Sequence, residues 1–138
     1  MNERYLNTLV LGGSGFLGSH VADQLTLAGH HVRIFDRMSS PWIHQDQQMI
    51  LGDLLDQATL DQAIDGCEVV YNFAAIADLD EALEKPVETA RINVLGNVQI
   101  LEACRKFGIS RYIYASTVYV YSRDGGFYRC SKQAAEHY

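Results

Sequence analysis

Gly12, Gly15 and Gly18 form a G-x-x-G-x-x-G run within Leu11-Gly12-Gly13-Ser14-Gly15-Phe16-Leu17-Gly18. Such a run suits phosphate binding. Gly12 can take a tight turn, Gly15 lets backbone approach a pyrophosphate, and Gly18 lets a helix pack closely on a strand. A helix opening at Phe16, Leu17 and Gly18 would offer free N–H groups and the positive end of its dipole to the phosphates. Asp36 follows 18 residues after Gly18. A carboxylate there can accept hydrogen bonds from adenosine ribose hydroxyls and repels a 2′-phosphate, which favours NAD over NADP. Arg37 beside it pulls the other way, because an arginine accommodates that phosphate. A structural turn also needs glycines, and Asp36 is equally the acid of an ordinary strand-end turn. Near the other end, Tyr128 and Lys132 are four residues apart, which on a helix puts both on one face about one turn apart. An ammonium beside a phenol favours the phenolate and lowers its pKa from about 10, so Tyr128 is expected to serve as a base. The same spacing also occurs by chance on amphipathic helices.

These residues need elements to position them. Apolar runs predict strands at 6–11, 32–35, 49–51, 69–73 and 111–115. Helical spacing predicts helices over 16–28, 56–64, 78–84 and 87–107, with Pro86 between the last two, and a final helix from about Tyr128. Strands alternating with helices argue for an α/β fold, a doubly wound parallel sheet of Rossmann type. The glycine run then follows the first strand and opens the first helix, the context a dinucleotide site requires. The four tyrosines at 112, 114, 119 and 121 alternate along a strand region and are read as packing residues.

Composition excludes several classes. Hydrophobic residues make up 48% and charged ones 20%, an ordinary globular balance that is incompatible with a largely disordered chain. A formal net charge of −6 disfavours nucleic acid and anionic membranes as partners. No apolar stretch reaches the length of a membrane span, and residues 1–5 lack the build of a signal peptide. Cys67, Cys104 and Cys130 form no C-x-x-C and suggest free thiols in a reducing cytoplasm. The five histidines have no ligand spacing, so no metal site is expected.

With these motifs in place, the chain resembles the extended short-chain dehydrogenases/reductases, the NAD-dependent epimerase/dehydratase group that includes the UDP-sugar epimerases. Gly12, Gly15 and Gly18 match the family's glycine pattern, with Leu11 in place of its usual Thr. Asp53, in Leu51-Gly52-Asp53-Leu54, matches the acid after the third strand, which in relatives contacts adenine. Asn72-Phe73-Ala74-Ala75 matches the segment after the fourth strand, which would line the cofactor cleft. Asn93-Val94-Leu95-Gly96-Asn97 matches Asn-Val-x-Gly-Thr, with Asn97 for Thr. Asn93 is read equally as a cofactor contact and as a backbone-bonding residue. Tyr128 and Lys132 match Tyr-x-x-x-Lys, and 112–122 resembles the fifth-strand segment, with Thr117 in the catalytic Ser/Thr position and Ser122 for a glycine. A shifted register would place Ala115 there instead, and Thr117 can equally be an ordinary strand residue.

The resemblance implies an NAD-dependent nucleotide-sugar epimerase or related oxidoreductase. Tyr128 would be the base, Lys132 would also hold the nicotinamide ribose, and Thr117 or Ser116 would hydrogen-bond the reacting oxygen. A dehydratase is disfavoured, because Val118-Tyr119 stands where dehydratases carry Asp-Glu. The alternative is a non-catalytic NAD-binding module or sensor. The ten residues 118–127 form a shorter loop than in many relatives, which leaves the sugar open. Residues 1–138 are expected to form the NAD-binding domain only. The chain stops within the catalytic helix, so it reads as the cofactor half of a longer enzyme and is expected to be inactive alone. A homodimer, paired through the helices at 87–107 and from 128, is plausible by analogy.

Overall fold

The computed structural model describes residues 5–138; Met1–Arg4, part of the amino-terminal segment read above, lie outside them. Five parallel strands form one sheet: β1 (Asn7–Leu11), β2 (His31–Asp36), β3 (Gln47–Leu51), β4 (Val69–Asn72) and β5 (Arg111–Tyr114). Their order is β3-β2-β1-β4-β5. The register runs from Leu11 opposite Phe35 on one side of β1 to Leu11 opposite Asn72 on the other. The expected doubly wound sheet is thus present. The chain progresses outward in both directions from β1, so the crevice between the β1 and β4 carboxyl ends is the switch point where such folds bind ligands.

The helices are α1 (Phe16–Leu27), α2 (Gln57–Ile64), α3 (Leu79–Glu84), α4 (Pro86–Ala90), α5 (Gly96–Phe107) and α6 (Gly126–His137). Alternation along β1 sends Leu9 and Leu11 to one face, where they pack with Leu60, Ile64, Ile100 and Ala103 of α2 and α5. Val10 faces the other way, with Ile34, Val32 and Ala22 of α1. Each fully buried Leu or Ile stabilises by about 1.5–3 kcal/mol, and both sheet faces are covered. Asp56 starts α2 by accepting from the Ala58 N–H at 3.1 Å and from the Thr59 hydroxyl at 2.5 Å. Pro86 opens α4, where its missing N–H costs nothing. Gly108, left-handed at φ 67°, closes α5.

Two expectations are corrected. The single helix over 87–107 is instead α4, a π-helical turn (Arg91–Leu95) and α5. That wider turn carries Asn93, which is buried and bonded outside its own helix. The strand expected over 111–115 ends at Tyr114, and a 3-10 turn (Val118–Tyr121) follows. Tyr119 and Tyr121 therefore do not continue a strand alternation. Thr117 starts that turn, its hydroxyl accepting from the Tyr119 N–H at 3.3 Å, a local bond that competes with strand continuation.

Cys67 and Cys104 are buried, Cys130 is exposed, and all three are free thiols. Burial pushes the Cys104 thiol up to about 11, which keeps it unreactive. Among the described residues, no helix is long and apolar enough to cross a membrane.

Candidate functional site

The site is built outward from the end of β1. Gly12 has φ +74°, and a Cβ there would lie 2.6 Å from the Ala74 nitrogen. Only glycine fits both the turn and the close approach of the β4 loop. A Cβ on Gly18 would collide with the Gly12 carbonyl oxygen, so α1 packs directly on the loop. Gly15 is the N-cap of α1 and offers no side-chain cap, and the first turn holds no acidic residue. The helix thus presents amides that no side-chain cap or first-turn acid engages.

The loop borders a cleft of about 440 Å³. Gly12 and Gly15 form its floor. Asp36 and Arg37 line one side, Asp53 and Leu54 another, and Phe73, Ala74 and Ala75 the β4 side. Ser14, Met38, Ser39, Pro41, Ile76 and Ile92 also line it and were not foreseen. Ser14 lay within the glycine run, so position alone could have suggested it. Residues 38–41 read only as a polar loop.

Asp36 is both clip and wall. Its carboxylate accepts from the Ser14 N–H and the Met38 N–H, each at 3.1 Å, while the Ser14 hydroxyl donates to the Met38 carbonyl at 2.7 Å. One lone pair on each carboxylate oxygen stays available for a ligand hydroxyl. Asp53 accepts from the Leu55 N–H at 2.9 Å, which fixes its turn. The side chains of Phe16 and Leu17 are exposed and do not line the cleft; only their backbone amides are placed to serve it.

The second half of the site gathers on α6. Tyr128 and Lys132 are both buried. Tyr128 clusters with Ile76 and Ala82, with Ile92 and Tyr119 packed against them. Ile76 and Ile92 also line the cleft, so this cluster shares a wall with it. Tyr119 meets Tyr128 edge-on, with ring centroids 6.5 Å apart. The Lys132 Nζ donates to the Ala115 carbonyl at 2.8 Å. It lies 4.6 Å from the Tyr114 ring centroid and 5.7 Å from that of Tyr128.

The expected electrostatics of this pair are corrected. Burial pushes the Tyr128 phenol above its ordinary value, opposed by a hydrogen bond from the Thr117 side chain, and Lys132 is not the group that counters it. Burial also pushes Lys132 down, to about 8. The Thr117 contact places that hydroxyl, and not Ala115, beside the phenol. The Ser116 hydroxyl is bonded to the Glu136 carboxylate.

Asn93 holds elements together and does not line the cleft. Its carbonyl accepts from the Ile76 N–H at 2.8 Å, and its amide donates to the Ile76 carbonyl at 2.9 Å and the Ser131 hydroxyl at 3.0 Å. A second buried chain runs parallel to it. The Ala74 N–H donates to Asn72 at 3.0 Å, Asn72 to the Tyr112 hydroxyl at 2.9 Å, and Tyr112 to Asn97 at 2.5 Å. Asn97 then donates to the Ala135 carbonyl at 3.4 Å. Both chains tie the β4 loop to α6.

A glycine-floored crevice at a topological switch point, beside a buried Tyr-x-x-x-Lys, defines a dinucleotide-dependent enzyme class. Residues 8–138 match the NAD dependent epimerase/dehydratase family, and the chain belongs to it. It is 31% identical over 128 residues to a UDP-glucose 4-epimerase of Klebsiella pneumoniae, covering 84% of this chain and 92% of that one. It is 36% identical over 114 residues to a putative UDP-glucose 4-epimerase of Methanocaldococcus jannaschii, covering 79% and 37%. Among solved structures it superposes on MoeE5 in complex with UDP-glucose and NAD, with a TM-score of 0.86 and 29% identity, over 95% of this chain and 47% of that one. It thus spans about half the length of MoeE5, and 37% of the Methanocaldococcus relative.

Proposed function

We propose that this chain forms the NAD-binding part of a nucleotide-sugar epimerase or related oxidoreductase, with Tyr128 as its base. The observation that carries this reading is the shared wall of Ile76 and Ile92 between the glycine-floored cleft and the Tyr128 cluster. The residues fit the cofactor. The uncapped α1 end suits a pyrophosphate, and Asp36 has acceptor capacity for ribose hydroxyls. Asp53 and Leu54 would border the adenine, and Phe73 to Ala75 would form the far wall. Bound NAD supplies the acceptor and donor of hydride at a sugar carbon.

This chain's own residues supply the rest. Tyr128 takes the proton from the sugar hydroxyl at its phenolic oxygen and later returns it. Thr117 holds that phenol by a hydrogen bond, which favours the ionised form against the opposing effect of burial. Lys132 sits beneath the phenol, at the end of the site expected to hold the nicotinamide ribose. Tyr119 and Ala82 pack against Tyr128 and hold its ring in place.

The raised pKa of Tyr128 favours a second reading, a binding module without turnover. Calorimetry with NAD and NADP, followed by assays against UDP-, GDP- and dTDP-sugars, separates the two. NAD should bind more tightly than NADP, and Asp36→Ala should narrow the difference. In an active chain extended to the length of these relatives, Tyr128→Phe should keep NAD binding while removing most turnover. Equal affinity for both dinucleotides contradicts the role of Asp36. In a chain extended to the length of these relatives, NAD binding without turnover on any sugar selects the module.

A further inference from the structure

Among the described residues, the Tyr114 hydroxyl is one of three buried side-chain polar atoms without a hydrogen-bond partner. Leaving a phenolic hydroxyl idle in a buried place is costly, so the position is better explained by the ring than by the oxygen. Tyr114 is the last residue of β5. One ring neighbour is Tyr112, stacked at 6.4 Å and 23°. The other is the Lys132 Nζ, 4.6 Å from the ring centroid.

Lys132 needs such a neighbour. The chain has three lysines. Lys85 pairs with Glu81 and Lys106 with Asp61, but Lys132, the buried one, has no carboxylate partner among the described residues. Among the described residues its one hydrogen bond is to the Ala115 carbonyl at 2.8 Å. A buried cation without a counter-charge must find compensation or lose its proton.

We propose that the Tyr114 ring face, together with the Ala115 carbonyl, holds the Lys132 ammonium in place and keeps it charged, which makes Tyr114 a positioning residue of the site. The significance of this rests on the reading of Lys132 given above; its measurement does not. The quadrupole of an aromatic face attracts a cation placed over it within about 6 Å. The other titratable groups nearby do not substitute for it. Tyr128 is farther, at 5.7 Å, and burial disfavours its ionised form. Tyr112 lies against Tyr114 and is bonded to Asn72 and Asn97. Glu136, one turn beyond Lys132, is engaged by Ser116. Burial lowers the Lys132 pKa, and the Tyr114 face lies 4.6 Å from the ammonium.

The test is the titration of Lys132 by NMR in the ¹⁵N-lysine-labelled 138-residue chain without nucleotide, the signal being identified by its loss in Lys132→Arg. Tyr114→Phe keeps the ring and drops only the idle hydroxyl, so the midpoint should not move. Tyr114→Leu removes the face and should favour deprotonation by about two- to thirty-fold, lowering the midpoint by about half a pH unit to one and a half. If the leucine variant does not fold, mono-, di- and pentafluorinated phenylalanine at position 114 drain the face stepwise at nearly constant volume. The midpoint should then fall in step with fluorination. An unchanged midpoint in Tyr114→Leu, or across the fluorinated series, overturns the proposal. So does Tyr114→Phe falling as far as Tyr114→Leu, which would assign the effect to the hydroxyl. A chain that binds no NAD yet shows the fluorine trend would keep this inference and sink the cofactor reading.

Discussion

Lys132 carries a charge into a place that water barely reaches, and this has a consequence for stability. Its pKa in the folded chain is pushed down to about 8, below the ordinary lysine value. Below about pH 8 the folded and unfolded chains both hold the proton, and the burial cost is present in full. Between about pH 8 and 10 the folded chain has released a proton that the unfolded chain still holds. Stability attributable to this residue therefore rises with pH across that window. Urea unfolding of the native chain and of Lys132→Met at several pH values should show the native chain gaining on the variant from about pH 8 to 10; a constant difference would contradict the shift. The identity and spacing of Tyr128 and Lys132 were legible in the sequence, and so was their common helix face. The sign of the Tyr128 shift was not. It depends on Tyr119, Ala82 and Ile76 closing over the phenol, and these come from three separate segments of the chain.

At the scale of elements, the join of β1 to α1 is the least forgiving. A methyl group on Gly18 meets the Gly12 carbonyl, and neither backbone can move without disturbing the cleft floor. Gly18→Ala should destabilise the fold by about 1–3 kcal/mol, as overpacking does. It should also weaken NAD binding more than the lost stability requires, because the loop must shift. Thermal melts and calorimetry on the same samples check both; unaltered affinity would detach Gly18 from the site. All five strands and the regions of all six helices could be anticipated from apolar periodicity and from Pro86, Gly29 and Gly108. The π-helical turn and the 3-10 turn could not. The first carries Asn93, whose partners only tertiary structure supplies, and the second opens on the local bond between the Thr117 hydroxyl and the Tyr119 N–H.

For the whole molecule, alternation and right-handed crossovers pointed to a doubly wound parallel sheet, and the structure supplied its strand order and the place of the cleft. What alternation could not convey is how the two ends of the site are joined. Asn72 and Asn97 stood in two separate motifs and Tyr112 read as a packing residue; the sheet brings them into one chain of bonds. The two hydrogen-bonded chains, from Ala74 to Ala135 and from Ile76 to Ser131, fasten the loop after β4 to the helix that carries Tyr128, the proposed base. In hydrogen-exchange terms, the Ala74 and Ile76 amides are tethered to α6 and should open with it as one cooperative unit. Their protection should match that of the α6 amides and fall with them in mild denaturant. Asn93→Leu should release Ile76 early while the strand amides stay protected; separate openings in the unaltered chain would argue against the coupling. A fluctuation that bares the proposed phosphate cradle would then also undress Tyr128 and Lys132, so a half-assembled site would be a rare species.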